Sequence, residues 1–258
     1  MSAHSLFGSP SGLNAALRTA WLTACGAGAA GLAVGGFYYA ALWPASRLFG
    51  RSLIAGNDPA EVALTYDDGP NDPYTERLLE VLERHQVKAT FFLIGRFVKE
   101  RPDIARAVVD AGHAIGNHTW DHPNLIFCSV AELRRQLQQT QQAIFDATGL
   151  EAKLFRPPFG GRRPDTLSVA RSLGLQPVMW NVTCRDWKAK SPEEIVGHAE
   201  RQIRGGDVIL LHDGEFHSIG VDRSRSVEAS DRILSGYKAE GNEFLTIPQM
   251  MEKAATSR

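Results

Sequence analysis

From Asp58 onward the sequence alternates short apolar runs with amphipathic segments, and this alternation is the feature that most restricts the fold. Seven runs are rich in β-branched and aromatic residues and are bounded by glycine or polar turns, as strands are. They cover residues 62–66, 89–94, 113–117, 153–156, 177–182, 207–211 and 243–247. Strands that alternate with helices predict a parallel α/β sheet, and about 200 residues suit a barrel as well as an open sheet.

Four of the intervening segments carry clear helix signals. Apolar spacing and end signals predict helices near 74–86, 102–111, 130–147 and 192–204. Ser129 with Glu132, and Ser191 with Glu194, form capping boxes in which the serine side chain accepts a bond from a backbone N–H of the first turn. Gly149 marks the end of the third helix.

The first 57 residues differ in composition from the rest of the chain. They contain three arginines and no acid, whereas residues 58–258 carry the other 25 basic residues and all 29 acidic ones. No charged residue lies between Thr19 and Pro44, and a helix of this length could span a hydrocarbon core of about 30 Å. The sequence predicts a tail at 1–18, a transmembrane or signal-anchor segment at 19–44, a linker at 45–57 and a main domain at 58–254.

A buried Gly/Ala-rich helix or a cleaved signal peptide are the alternatives for residues 19–44. No good A-x-A cleavage site follows the apolar run, which favours an uncleaved anchor. We expect a membrane-anchored protein with its main domain outside the cytoplasm. The orientation is weakly specified, because Arg18 on one side faces Arg47 and Arg51 on the other, and the positive-inside count leans slightly the opposite way.

The charge argues against a nucleic-acid partner, and the cysteine content argues against a disulfide framework or a zinc knuckle. The formal net charge is −1 and no basic stripe stands out, so nucleic acid is not expected as a partner. Cys25, Cys128 and Cys184 are odd in number and have no C-x-x-C spacing. They therefore build neither a disulfide framework nor a zinc knuckle.

Residues capable of chemistry follow the carboxyl ends of the predicted strands. In a parallel barrel all these ends open on one face, so residues remote in sequence converge there. Asp67 and Asp68 follow the first strand, His118 and His122 the third, Arg156 ends the fourth, Asp186 follows the fifth and His212 ends the sixth.

The spacing of these residues suggests a catalytic metal site. His118 and His122 are four residues apart and could share one metal if their segment makes a helical turn, with a carboxylate completing the set. Asp67 and Asp68 could divide the work, one binding the cation and the other taking a proton, although Asp-Asp-Gly-Pro could also be only a turn. Arg156 at a strand end would orient Asp67.

Five motifs in this order resemble the polysaccharide deacetylases, the carbohydrate esterase family with a NodB-homology domain. That family includes chitooligosaccharide and peptidoglycan N-acetylglucosamine deacetylases. The motifs are TYDDGP (65–70), HTWDHP (118–123), RPPFG (156–160), RDW (185–187) and LLHD (210–213). The resemblance implies a distorted barrel of seven β/α units at 58–254 and a metal-dependent hydrolase that removes acetyl groups from a glycan.

The resemblance also implies roles for individual residues. A divalent metal, most often Zn²⁺ with Co²⁺ or another divalent ion as alternatives, would be held by Asp68, His118 and His122. Asp67 would be the general base and His212 the acid that protonates the departing amine.

Five further residues would support this chemistry by the same resemblance. Arg156 would orient Asp67, and Asp186 would orient His212. The backbone N–H of Phe159 would stabilise the oxyanion. Trp187 and Leu210 would line the pocket for the acetyl methyl group.

Some residues depart from the family pattern. Thr183 stands where a second acid is common, Phe159 replaces the usual tyrosine and Tyr66 replaces phenylalanine. The segment 214–227, with His217, Asp222, Arg223 and Arg225 in it, is expected at the rim of the same face, either contacting substrate or as a solvated loop.

Two other functions stay open at this stage. A metal-dependent amidase or deformylase acting on a lipid-linked sugar or small amide would use the same groups. An inactive membrane-attached glycan-binding module would keep the fold without the chemistry, since a fold alone does not establish activity.

Overall fold

The computed structural model describes residues 22–23 and 31–256. Its strands are β1 (Glu61–Gly69), β2 (Thr90–Leu93), β3 (Ala114–Asn117), β4 (Leu154–Phe155), β5 (Gln176–Pro177), β6 (Val182–Thr183), β7 (Asp207–His212) and β8 (Glu243–Phe244). Its helices are α1 (31–42), α2 (Tyr74–Arg84), α3 (Gly95–Glu100), α4 (Pro102–Asp110), α5 (Val130–Thr148), α6 (Thr166–Ser172), α7 (Pro192–Glu200), α8 (Ser224–Ala239) and α9 (Ile247–Thr256). Two short 3₁₀ turns lie at Leu125–Phe127 and Pro158–Gly160.

The named strands pair in one parallel sheet, as the alternating sequence pattern predicts. The strand order is β5-β4-β3-β2-β1-β7-β6, and β8 pairs with the first residues of β1 before β2 begins. All nine residues of β1 are buried, which fits its place near the centre of the sheet.

The sheet is a curled half-barrel because its two end strands are joined by a short connection. The predicted fifth strand, 177–182, divides into β5 and β6, which lie at opposite ends of the sheet. Five residue steps from Pro177 to Val182 span at most about 18 Å, whereas seven flat strands would be about 29 Å wide. The sheet must therefore bend until its ends approach one another. The parallel α/β class is confirmed, with eight strands instead of seven.

The predicted helices form close to the expected positions as α2, α4, α5 and α7. The Oγ of Ser129 accepts from the Glu132 N–H at 3.1 Å, and Gly149 ends α5 with a φ of 73°. The bounds of the remaining helices of the main domain, α3, α6, α8 and α9, were not predicted. α8 buries small and polar residues such as Ser226, Ala229 and Ser230, which leaves a weak apolar pattern in the sequence.

The N-terminal segment is described only in part. Residues 19–21 and 24–30 of the predicted membrane segment lie outside the described residues, and among the described ones no helix is long and apolar enough to cross a membrane. Within the predicted linker, Leu53 pairs with Val178 and Ala55 pairs with Asp207. This part of 45–57 therefore lies against the sheet.

Side chains of β1 alternate between the two faces of the curled sheet. Val62, Leu64 and Tyr66 join the large apolar cluster beneath the helices, and Ala63 joins a second cluster on the other face. Because side chains alternate with a period of two, Asp67 continues the face of Ala63. The first strand therefore carries Asp67 along the inner face to the carboxyl end of the sheet.

Candidate active site

The carboxyl ends of the strands bring together the residues that the sequence places there. Asp67 at the end of β1 is paired with His212 at the end of β7. Arg156 directly follows β4, and its backbone N–H bonds to the carbonyl of Asn117 at the end of β3. His118 follows Asn117, so one edge carries residues from four strands.

A bulge in β1 turns two consecutive carboxylates toward the same imidazole. Neighbouring side chains of a regular strand point to opposite faces, but Asp68 has a φ of 72° and the pairing register with β2 shifts here. His118 Nε2 consequently lies 3.8 Å from Asp67 Oδ2 and 3.4 Å from Asp68 Oδ1. The DDG sequence supplies both a candidate ligand and a candidate base at one place.

The segment between the two histidines is an irregular loop, so the helical turn considered as a way to bring them together does not form. Thr119 and His122 have φ values of 67° and 61°, in the left-handed region. The Thr119 Oγ1 accepts from the His122 N–H at 3.1 Å and closes the loop. Side-chain bonds therefore replace the helical turn in bringing the two rings to 4.9 Å between centroids.

Asp68, His118 and His122 form a buried group suited to a metal ion. One ligand atom from each residue lies within 4.8 Å of the others. The Nδ1 of His118 lies 2.8 Å from the Arg156 carbonyl oxygen, which can only accept, so Nδ1 carries the proton and Nε2 is free to coordinate. Asp68 Oδ1 is buried without a hydrogen-bond partner. A bare carboxylate oxygen facing two imidazoles fits a divalent cation.

The charge states of these groups agree with that assignment. Burial lowers the pKa of His122 to about 3, so its ring is neutral and able to bind a metal. Burial acts to raise the pKa of Asp68, but its interaction with His118 and with the other nearby imidazoles outweighs burial and holds the pKa below its ordinary value. The set offers two neutral nitrogens and one carboxylate.

Asp67 is held by a fully buried arginine. Arg156 Nη1 lies 2.7 Å from Asp67 Oδ1 and also donates to Thr65 Oγ1 at 2.8 Å. Its Nη2 donates to the carbonyl of Met179 at 3.1 Å. The guanidinium stays charged even though burial lowers its pKa, because an arginine does not lose its proton in proteins. Asp67 Oδ1 is thereby fixed, and Oδ2 faces the His118 ring.

His212 is bound by Asp186 across the site. Its Nδ1 lies 2.9 Å from Asp186 Oδ1, and its backbone N–H donates to Oδ2 at 2.8 Å. Burial would lower the pKa of His212, but the Asp186 charge outweighs burial and raises it to about 9. A protonated His212 is therefore available as a proton donor near neutral pH.

These groups open into a cavity of about 460 Å³. Trp187 and Leu210 line it, and Phe159 lines it with about half of its surface exposed. The full lining is Asp67, Asp68, His118, His122, Phe159, Trp180, Trp187, Leu210, His212, Glu215, Phe216 and Arg223. Trp180, Glu215 and Phe216 were not predicted.

The segment 214–227 reaches the cavity mainly through an aromatic ring. Phe216 stacks on His122 with 4.6 Å between ring centroids and 17° between planes, and it meets Phe159 edge-on at 5.3 Å. Arg96 binds the carbonyl oxygens of Phe216 and His217 at 2.5 and 3.1 Å. Of the charged residues considered in the sequence, Arg223 lines the cavity, whereas the His217 side chain is exposed.

Asp213 supports the bulge from beneath and was also not assigned a role. It is buried, accepts from Thr75 Oγ1 at 2.5 Å, and its backbone N–H donates to the Asp67 carbonyl at 3.2 Å. Burial, with the charges of Asp68 and Asp67 nearby, raises the pKa of Asp213 to about 7. Its position directly after His212 at a strand end was the signal that could have found it.

A metal held by three protein groups would keep positions open for water and a substrate carbonyl, and here a carboxylate and a histidine line the same cavity as the three groups. The fold and site together define the class of metal-dependent hydrolases. Residues 55–178 match the family model described as polysaccharide deacetylase. The chain is 39% identical over 201 residues to a chitooligosaccharide deacetylase of Rhizobium leguminosarum bv. trifolii, covering 76% of this chain and 94% of that protein. It therefore belongs to the polysaccharide deacetylase family.

Solved structures of this family resemble the chain over most of its length. A peptidoglycan N-acetylglucosamine deacetylase superposes with a TM-score of 0.73 at 36% identity, covering 77% of this chain and 92% of that one. A CE4 family pseudoenzyme from Bacillus anthracis gives a TM-score of 0.71 at 34% identity, covering 78% and 68%. Because the family includes a pseudoenzyme, activity must be argued from the residues of the site.

Proposed function

We propose that the protein hydrolyses the N-acetyl group of N-acetylglucosamine units in a glycan polymer or oligosaccharide. The observation that carries the proposal is the placement of Asp67 and His212 beside the Asp68, His118 and His122 group, each held by its own partner. Relatives named as chitooligosaccharide and peptidoglycan deacetylases support the substrate class. A glycan-binding module without activity has no need to keep this complete arrangement.

Asp67 takes a proton from the attacking water. Its Oδ1 is occupied by Arg156 at 2.7 Å, so Oδ2 is the basic oxygen that faces the ligand group. Asp68, His118 and His122 would hold the metal, which supplies Lewis acidity to the acetamide carbonyl and to the water. We favour Zn²⁺, because two imidazole nitrogens and one carboxylate are among its common ligands.

His212 donates the proton that the leaving amine needs. Because Asp186 occupies Nδ1, the Nε2–H of His212 is the donor. The backbone N–H of Phe159 stabilises the oxyanion. Trp187, whose ring meets that of His212 edge-on at 5.1 Å, and Leu210 contact the acetyl methyl group.

The test is acetate release by the purified full-length protein with Zn²⁺ or Co²⁺ added. N-acetylated chitooligosaccharides and peptidoglycan are expected to yield acetate and new amines in equal amounts, whereas acetylated xylan tests O-deacetylation and formylated sugars test formate release. An Asp67→Asn variant is the matched negative control. Absence of acetate release from every N-acetylated substrate, with metal bound at one equivalent, would overturn the proposal.

We also propose that residues 19–44 attach the protein to a membrane, with the catalytic domain outside the cytoplasm. The uncharged run from Thr19 to Pro44 supports this, as do the exposed apolar side chains of Leu32, Val34 and Tyr38 in its described part. Full-length protein should sediment with membranes after alkaline washing, and external protease should remove the domain from intact spheroplasts. Recovery in the supernatant would contradict attachment.

A further inference from the structure

Arg162 is a fully buried arginine that no step of the proposed reaction uses. It is 1% exposed, and no carboxylate lies within ion-pair distance of it in the described part of the chain. Its backbone N–H donates to the carbonyl of Ala41 at 2.9 Å. Its guanidinium donates to the carbonyls of Ala40 at 3.5 Å, of Pro44 at 3.2 Å, and of Trp43.

These carbonyls belong to the carboxyl end of α1 and the turn after it. The last carbonyls of a helix have no partner within the helix, and they carry partial negative charge. Arg162 satisfies them with a cation, as basic side chains do at helix ends. The contact therefore joins residues 40–44 to the polysaccharide deacetylase domain, in which the match to the family model begins at residue 55.

Arg162 also lies just beyond the loop that carries the oxyanion donor. The loop begins at Arg156, which is bonded to Asp67, and passes through Phe159. Phe159 and Gly160 have φ values of 56° and 67°, a conformation that is costly for a phenylalanine. The Phe159 N–H lies in the peptide plane between Pro158 and Phe159, so the backbone conformation of this loop sets its direction.

The end of α1 packs against the same loop. A Cβ at Gly160 would lie 3.6 Å from the Leu42 carbonyl oxygen, 3.1 Å from Met179 Cε and 3.2 Å from the Trp180 ring. The loop is therefore enclosed between α1 and residues 179–180. Buried arginines hold it at both ends, Arg156 from the catalytic side and Arg162 from the α1 side.

We infer that the carboxyl end of α1 positions the catalytic loop and that Arg162 is the positioning residue. The N-terminal segment thereby contributes to transition-state stabilisation as well as to any attachment it provides. The inference rests on the proposed function through the role of the Phe159 N–H. It concerns only residues 40–44 and 156–162 and needs no contact between Arg162 and substrate.

Arg162→Ala in the full-length protein is the first test. Small displacements of a catalytic group can cost about 100-fold in rate, so kcat should fall by about 10- to 100-fold. KM and metal content should stay near wild type, because Asp68, His118 and His122 are untouched. Arg162→Lys should recover part of kcat, since a lysine can reach one carbonyl but lacks the planar fork.

Arg171→Ala is the matched control. Arg171 lies on α6 and donates to the carbonyl of Arg51, so it also binds the N-terminal segment but away from the catalytic loop. Its removal should leave kcat near the wild-type value, because Arg171 makes this bond at the exposed surface. Equal losses of kcat in Arg162→Ala and Arg171→Ala would show that the effect is general and would overturn the inference.

Ala41→Leu tests the contact from the opposite side. Ala41 is fully buried, so a larger side chain must displace α1 from the loop. Ala41→Leu should lower kcat about as much as Arg162→Ala does. In the variant that carries both substitutions, the fold-loss of kcat should be smaller than the product of the two separate fold-losses. Wild-type kcat in a folded Arg162→Ala or Ala41→Leu protein would overturn the inference.

Hydrogen exchange separates this inference from the proposed function. The amides of Gly160 and Gly161, which donate to the carbonyls of Pro157 and Pro158, should exchange faster in Arg162→Ala than in wild type and should be unchanged in Arg171→Ala. This readout does not depend on turnover. If the wild-type protein is inactive but the exchange pattern is as expected, the proposed function is refuted and the positioning role is not. Unchanged exchange in Arg162→Ala would refute the positioning role.

Discussion

Asp186 binds His212 through both of its carboxylate oxygens. Oδ1 lies 2.9 Å from the ring Nδ1, and Oδ2 accepts from the His212 backbone N–H at 2.8 Å. Ser226 also donates to Oδ2, at 2.9 Å. The ring is therefore fixed in both tautomer and direction, with Nε2 left for the reaction.

Asp186→Asn should move the basic limb of the kcat–pH profile to lower pH. The charge of Asp186 outweighs burial and raises the pKa of His212 to about 9. A general acid must be protonated, so activity falls as the pH rises through that pKa, and removing the charge brings the fall to lower pH. The measurement is the difference in the position of the basic limb between wild type and Asp186→Asn.

Ser226→Ala is the control for that comparison, because it removes a hydrogen bond to Asp186 but keeps the charge. It should shift the basic limb less than Asp186→Asn does. An unchanged basic limb in Asp186→Asn, with metal content preserved, would exclude His212 as the group that titrates there.

Asp67→Asn and Asp68→Asn should separate catalysis from metal binding. Asp68 Oδ1 lies 3.3 Å from His122 Nε2 within the ligand group, whereas Asp67 Oδ1 is bonded to Arg156. Asp67→Asn should keep one equivalent of metal while kcat falls by about 10²–10⁴-fold, the usual contribution of a general base. Asp68→Asn should lose both the bound metal and the activity. Elemental analysis after dialysis measures this, and equal metal loss in the two variants contradicts the assignment.

His118→Ala and His122→Ala should behave like Asp68→Asn in the same measurement. His85 provides a matched control, since its ring lies 2.6 Å from Asp231, away from the cavity. His85→Ala should keep metal and activity. Full metal retention in His118→Ala would sink the ligand assignment.

Arg156→Met should destabilise the protein as well as inactivate it. Arg156 is fully buried and pairs with the buried Asp67, so its loss leaves that carboxylate without its charged partner. Breaking a buried pair typically costs about 3–5 kcal/mol. The free energy of unfolding, measured with urea, should fall by that order. Asp67→Asn/Arg156→Met should be more stable than Arg156→Met alone, because no charge is left buried.

The strand-end residues were predictable because two simple regularities act together. Apolar alternation locates the strands, and parallel pairing brings their carboxyl ends to one edge, so Asp67, His118, Arg156 and His212 could be assigned to one site. The backbone conformation of the site was harder to predict from the sequence. Asp68, Thr119, His122 and Phe159 all have left-handed backbones, a conformation that Asp and His adopt only occasionally and that Thr and Phe rarely adopt, so residue type did not predict it.

Two further features depend on contacts that local patterns do not contain. The run 177–182 looks like one strand, but its halves join opposite ends of the curled sheet. The Phe216 ring reaches His122 because Arg96, 120 residues earlier, holds the Phe216 carbonyl. The sequence could therefore place residues 214–227 at the rim of the site, but it could not predict which of their side chains enters the site.

Gly214→Ala should weaken metal binding although Gly214 is not a ligand. A Cβ at this position would lie 2.1 Å from the Asp68 carbonyl oxygen, closer than real contacts allow, and the obstacle is backbone. The backbone of Asp68 or of residue 214 must then shift, which disturbs the position of Asp68 relative to His118 and His122. Changes beside metal ligands typically cost about 10- to 100-fold in metal affinity, and competition with a chelator should show that loss.

Gly236→Ala is the matched control for Gly214→Ala. Gly236 lies within α8, and a Cβ there would have nothing within 4 Å. It should keep metal affinity and raise the free energy of unfolding by about 1 kcal/mol, since alanine favours helix more than glycine does. Wild-type affinity in Gly214→Ala would show that the bulge at Asp68 tolerates displacement and that its close packing does not set the ligand geometry.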